Sequence, residues 1–153
     1  MENALDFAQI VQACGDGMVV CDAGGTIVFW NAAATRIFGF TAEDAHGQSL
    51  DLIIPQAQRQ RHWDGFHKTL ATGTTRYGSE VLRVPALHKE GKPLSIAFSV
   101  ALLRDAAGQM AGIVAVVRDD SVRWQAERAM RARLRELETS IPPSVNHVLQ
   151  ANP

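Results

Sequence analysis

Histidines are the residues best suited to chemistry in this chain, and spacing separates one of them from the rest. His62 shares a helical face with Phe66, Thr69 and Leu70, at positions i, i+4, i+7 and i+8. An imidazole held on such a face can ligate a metal ion. On spacing alone, a lone helical histidine is more often a hydrogen-bonded core or surface residue. His67 stands five positions further on, leaves that face, and makes a poor metal pair with His62. His46, His88 and His147 fall in turns or in the tail and are expected to be solvated. The two cysteines, Cys14 and Cys21, match no zinc or CxxC spacing and are expected to pack as small apolar residues. No GxxxxGKS/T or GxGxxG phosphate loop occurs, and no HExxH or GxSxG. No enzymatic activity is expected.

The elements that position His62 can be followed along the chain. Phe7, Ile10, Val11 and Cys14 lie on one face of a short N-terminal helix, which Gly15 and Gly17 end. Residues 18–21 and 26–30 are β-rich and flank Asp22-Ala23-Gly24-Gly25, which predicts a hairpin. Asn31 is a good N-cap for a helix over 32–38, with Gly39 at its left-handed end. Thr41 and Asp44 form an acidic version of the capping box and open a second short helix, stopped at Gly47. Pro55 starts a longer helix reaching about Ala71, ended by Thr72-Gly73; this helix carries His62. Strands are predicted over 77–85, 94–103 and 111–118, with turns at Lys89-Glu90-Gly91-Lys92 and Asp105-Ala106-Ala107-Gly108.

In the middle strand, Leu94, Ile96, Phe98, Val100 and Leu102 alternate with Ser95, Ala97, Ser99 and Ala101. One face is therefore large and apolar and the other small, as if a helix packed closely against it. The order predicts an α+β fold: one antiparallel sheet with short helices gathered on one face.

The chain's 153 residues suffice for one domain with its own core. A 46% hydrophobic and 20% charged composition excludes wholesale disorder. A formal charge of -1 leaves no basic footprint for nucleic acid or an anionic membrane. The N-terminus lacks the basic start and apolar core of a signal peptide, and no apolar run approaches the ~20 residues that span a bilayer. With only two cysteines, the expectation is a cytoplasmic location, with no membrane and no nucleic acid as partner.

Several segments together resemble the PAS family. They are Gly17-Met18-Val19-Val20-Cys21-Asp22, Gly25 through Ala34, Ile37-Phe38-Gly39-Phe40-Thr41, the Lys89-Glu90-Gly91 turn and the Val117-Arg118-Asp119 exit. The match covers roughly residues 15 to 122. It implies a PAS fold, with a five-stranded antiparallel sheet cupping a ligand cavity and N-terminal and C-terminal flanking helices that carry the signal. The implied organisation is a flanking helix at 1–14, the PAS domain at 15–120, a signalling helix at 121–141 and a flexible tail at 142–153.

The long helix is further similar to that of haem-binding oxygen sensors of the FixL type, through Ile54-Pro55, Arg59, Arg61-His62, Gly65-Phe66 and Thr72-Gly73. Without a gap, His62 falls where that family places its iron ligand. The resemblance implies haem b, with His62 as metal ligand, pointing into the cavity beside Phe66 and Leu70. A neutral imidazole suits haem iron and leaves the opposite axial position for a gas. By the same correspondence Tyr77, Leu82, Phe98 and Val100 build the distal side, and Lys68 and Arg76 stand where cations meet the haem propionates. Trp63, beside the ligand, reads equally well as surface packing. Leu82 departs from the family, which has an arginine there to hydrogen-bond oxygen. Arg83 is one residue off and on a strand faces the other way. Weaker discrimination in favour of oxygen is expected, so the implied signal is O2, CO, NO or redox state.

The alternative is a cofactor-free interaction and dimerisation module, or a small-metabolite sensor. The flavin-binding LOV subgroup needs a cysteine in a GxNCRFLQ-like segment of the helical region, and this chain has none there. Non-covalent FAD is the other cofactor alternative. Near the end, Met130, Leu134, Leu137 and Ile141 recur at spacings of four, three and four, as in a short coiled-coil seam. The same helix could instead fold back to cap the sheet. A homodimer through the terminal helices is expected, with the N-terminal helix as a second surface over the small face of the 95–101 strand. A complete chain would pass its signal to a separate effector protein; a piece of a longer one would lead into it.

Overall fold

Asn31 ties the first third of the chain together. It is buried, and both ends of its amide are fully used. Its Oδ1 accepts from Met18 N at 2.8 Å and Ala34 N at 3.0 Å, while its Nδ2 donates to Val11 O at 2.9 Å and Asp16 O at 3.0 Å. One side chain thus joins helix α1 (Phe7–Ala13), strand β1 (Gly17–Asp22) and helix α2 (Ala32–Phe38), which it caps. The computed structural model describes residues 5–140.

Strand β2 (Ile27–Trp30) returns along β1, and helix α3 (Ala42–Ala45) follows with the capping box of Thr41 and Asp44 formed in both directions. A 3-10 turn at Leu50–Leu52 leads into helix α4 (Gln56–Thr72). Strands β3 (Leu82–Ala86), β4 (Leu94–Arg104) and β5 (Met110–Asp119) complete an antiparallel sheet in the order β2-β1-β5-β4-β3. The last strand therefore closes the sheet by pairing with the first, from Gly17↔Val117 to Asp22↔Gly112. The helices all lie in sequence between β2 and β3 or flank the sheet. The fold is the expected α+β sheet with flanking helices.

The core follows from alternation. Leu94 and Ile96 of β4 are buried, and Phe98, Val100 and Leu102 continue the same row against it. Val19 and Cys21 of β1, and Ile113 and Val117 of β5, supply the matching rows from their own strands, because side chains two apart share a face. Phe38 of α2 and Phe66 of α4 close over them.

Three expectations need correction. The strand predicted from Tyr77 begins only at Leu82. Arg76–Gly78 is a 3-10 turn, started by Thr75 Oγ1, which accepts from Tyr77 N at 3.1 Å. His88 is buried, not solvated. It lies against Gly39, whose φ of 80° ends α2 and whose missing Cβ leaves the imidazole its room. Its Nδ1 accepts from Glu90 N at 3.1 Å. Finally, α1 attaches at the start of α2 rather than over the small face of β4: Gln12 Oε1 accepts from Ala32 N at 3.1 Å, beside the Asn31 bond to Val11 O.

The chain divides after Asp120 into two units, 1–120 and 121–153. Taken by itself, the second holds helix α5 (Ser121–Ser140), with an Arg123–Glu127 ion pair and Arg128 over the Trp124 ring at 5.5 Å. Met130, Leu134 and Leu137 are exposed along it. Ile141, Pro142-Pro143 and His147 lie outside the described residues, as does the 142–153 tail. No helix among the described residues is long and apolar enough to cross a membrane.

Candidate functional site

A cavity of about 570 Å3 lies between α4 and the inner face of the sheet, within the ~300–1,000 Å3 range of small-molecule sites. Its walls are mainly apolar. Val19 and Cys21 come from β1, Ile113 and Val117 from β5, and Ile96, Phe98 and Val100 from β4. Leu82, paired across the sheet with Phe98, closes the β3 side. Arg61 and Arg76 reach the cavity with exposed guanidinium groups, so its mouth is cationic where its interior is greasy.

His62 enters this space from α4. Its ring sits edge-on to Trp63 at 4.9 Å between centroids and tilted to Phe66 at 5.9 Å. Burial pushes its imidazole below the ordinary value of 6.5, against an opposing pull from the Asp51 carboxylate. The ring is therefore neutral at neutral pH, as a metal ligand must be. Its Nδ1 is buried without a hydrogen-bond partner, a condition that costs about 1–3 kcal/mol and invites a ligand or a partner. Gln58, one turn earlier on the same face, carries the same deficit at Oε1. Both residues line the cavity.

The orientation of α4 is set by a clamp on its other side. Trp63 donates Nε1–H to Asp51 Oδ1 at 2.9 Å, and Arg59 donates to Ile54 O at 3.1 Å and Asp51 O at 3.2 Å. The Trp63 ring presses on Gly25 in the β1–β2 turn, where φ is 80° and an added Cβ would overlap the indole. Trp63 is thus packed structure, next to a residue that faces the cavity.

Of the candidate residues, the structure brings His62, Phe66, Arg76, Tyr77, Leu82, Phe98 and Val100 to one cavity. Arg76 donates to Tyr77 Oη at 2.8 Å and stacks over its ring. Leu70 packs on the core without lining the cavity, and Lys68 is exposed away from it. Arg61, from the same helix, stands at the mouth instead. Cys21 was not singled out as a site residue, yet it lines the cavity. Burial pushes its thiol up to about 11, and it makes a long contact of 3.7 Å to Ile113 O. A protonated thiol is a poor metal ligand, which leaves His62 as the side chain equipped for that task. Arg83 touches the cavity edge, but its guanidinium pairs with Asp120 at 3.6 Å.

Haem is the group that the resemblance implies, and the residues present fit it. A neutral imidazole lining the cavity can serve as an iron ligand, apolar walls suit a flat macrocycle, and exposed arginines suit its carboxylates. Among the described residues no group of three or more His, Cys, Asp or Glu could hold a bare metal ion.

The family model of the PAS fold matches residues 5–119, and the chain belongs to that family. It is a PAS sensor domain. The oxygen sensor protein DosP of Escherichia coli is 26% identical over 138 residues, 89% of this chain and 16% of DosP. The sensor protein FixL of Bradyrhizobium diazoefficiens is 36% identical over 53 residues, 35% of this chain and 10% of FixL. Among solved structures, the PAS domain of a protein from Colwellia psychrerythraea has a TM-score of 0.63 at 22% identity, over 73% of this chain and 92% of that one; this likeness concerns the fold. The chain spans about a sixth or less of the length of the curated relatives it matches.

Proposed function

We propose that this domain binds haem b through His62 and senses a diatomic gas or redox state, relayed through its terminal helices and a homodimer. The observation that carries the reading is the His62 imidazole, held neutral by burial, lining an apolar cavity from α4. Bound haem would supply the iron that takes O2, CO or NO or changes oxidation state. The chain's own residues do the rest. His62 would hold the iron through its imidazole, and Trp63, held by Asp51 and Gly25, keeps its turn of helix in place. Phe66, Phe98, Val100 and Leu82 would exclude water from the bound group, and Arg61 and Arg76 would meet its carboxylates. Leu82 carries no hydrogen-bond donor for oxygen, so CO and NO would compete well with it. Similarity to FixL and DosP supports the same reading.

The visible spectrum of protein expressed with a haem supply tests it. A Soret band at one haem per chain, lost in His62→Ala, is expected. No Soret band, or an unchanged one in His62→Ala, would leave a small-metabolite sensor or an interaction module.

A further inference from the structure

Two buried side-chain atoms among the described residues lack a hydrogen-bond partner, and they stand four residues apart on one helix: Gln58 Oε1 and His62 Nδ1. Both side chains line the same cavity. Residues at i and i+4 have Cβ atoms ~5–6 Å apart and face the same way. One atom is an obligate acceptor. The other becomes an obligate donor whenever Nε2 is the nitrogen that binds a ligand, because a neutral imidazole carries one proton and it must then sit on Nδ1. The two deficits are complementary.

We infer that Gln58 is the positioning residue for His62: its Oε1 accepts Nδ1–H, holds the imidazole in one tautomer and leaves the Nε2 lone pair for the cavity. The bond requires the Gln58 side chain to change rotamer so that its Oε1 reaches Nδ1. The other acceptor whose charge reaches His62 is Asp51, and one of its two oxygens is engaged. Its Oδ1 takes the Trp63 indole N–H at 2.9 Å and faces Arg59 Nε at 3.7 Å. Gln58 is also neutral, so it fixes the proton without adding the negative charge that a carboxylate would bring next to the ligand. This inference deepens the haem reading and rests on it for its purpose, while the tautomer itself can be read with no haem present.

The test is a two-bond nitrogen–proton NMR correlation on the full chain prepared without haem, with His62 assigned by its loss in His62→Gln. In wild type and in Gln58→Glu, Nδ1 is expected in the protonated, pyrrole-type range. In Gln58→Leu the proton is expected to shift to Nε2, exchanging the two resonance ranges. Should Gln58→Leu fail to fold, Gln58→Asn, one methylene too short, is expected to give the same exchange. The same tautomer in wild type and in these variants would overturn the inference. A Soret band in each protein, measured after haem addition, judges the haem reading separately. The exchange of tautomers in a chain that takes up no haem ends the haem reading alone, and haem uptake without the exchange ends the role of Gln58 alone.

Discussion

The indole of Trp63 donates its N–H to Asp51 Oδ1 at 2.9 Å while its ring rests on the backbone of Gly25. The residue beside the candidate ligand is therefore anchored to the β1–β2 turn and to the segment before α4, and His62 inherits its direction from that anchor. The clamp works because Gly25 presents no side chain and holds a φ of 80°.

Gly25→Ala should therefore cost more than the same change at a glycine with equal backbone demands and open surroundings. Gly91, with φ of 73° and nothing within 4 Å of an added Cβ, is that control. Both variants carry the ~1–2 kcal/mol penalty of a left-handed alanine. Gly25→Ala adds an overpacking cost of about 1–3 kcal/mol. Urea unfolding of the two variants checks this. Equal losses would show that Trp63 yields freely and does not set α4.

The start of β1 and the end of β5 are joined by a two-pronged ion pair, Arg118 Nε to Asp16 Oδ1 at 2.6 Å and Nη2 to Oδ2 at 3.0 Å. The Arg118 guanidinium holds the Asp16 carboxyl below its ordinary value of 3.8. A carboxylate whose folded value is depressed binds fewer protons folded than unfolded. Its contribution is thus complete above 3.8 and is lost as pH falls through the lower folded value. Wild type should unfold at higher urea than Asp16→Asn at about pH 7, with the gap closing by about pH 2. A gap that persists in acid would assign the effect to something other than the ion pair.

Much of this architecture was legible in the sequence, and the parts that were not share a cause. The Asn31 and Thr41 caps, the alternation along β4 and the span of α4 depend on neighbours a few residues away, and local pattern reveals those. Val19 and Cys21, and Ile113, Ala115 and Val117, lie in continuous apolar runs whose inward face the local pattern does not mark, and only the closure of β5 onto β1 shows that they floor the cavity. His88 is buried because Gly39, 49 positions earlier, leaves it space, and no local pattern reports that. Thr74-Thr75-Arg76-Tyr77 has strand-like composition, yet the Thr75 hydroxyl captures the next turn and delays β3 to Leu82. For the site, the position of His62 was readable from spacing and resemblance. The unpartnered state of Gln58 was not, because burial of an amide on a largely polar helix depends on the sheet opposite.

Leu82 lines the cavity opposite no charged donor of its own strand face, being paired with Phe98. On the haem reading, Leu82→Arg should raise oxygen affinity about tenfold relative to CO, since one added hydrogen bond of ~1.4 kcal/mol corresponds to that factor. Equilibrium gas titrations of both proteins measure it. An unchanged ratio of the two affinities would place the gas site away from residue 82.

Helix α1 leaves Phe7 73% and Ile10 50% exposed while its backbone is tied to α2. In the proposed homodimer, these outward apolar side chains on an anchored helix would meet a second copy of this chain. Light scattering should give a dimer for wild type and a monomer for the double variant Phe7→Glu, Ile10→Glu. A monomeric wild type would contradict the dimer.

The reading depends most on the imidazole of His62, and one measurement addresses it directly: CO binding to the reduced, haem-supplied protein in wild type, in His62→Gly, and in His62→Gly with added imidazole. The expected result is a CO-dependent Soret shift at one haem per chain in wild type, loss of haem in the glycine variant, and recovery when free imidazole fills the space left behind. Equal haem uptake and an equal CO spectrum in His62→Gly without imidazole, or no haem uptake by wild type, would contradict it.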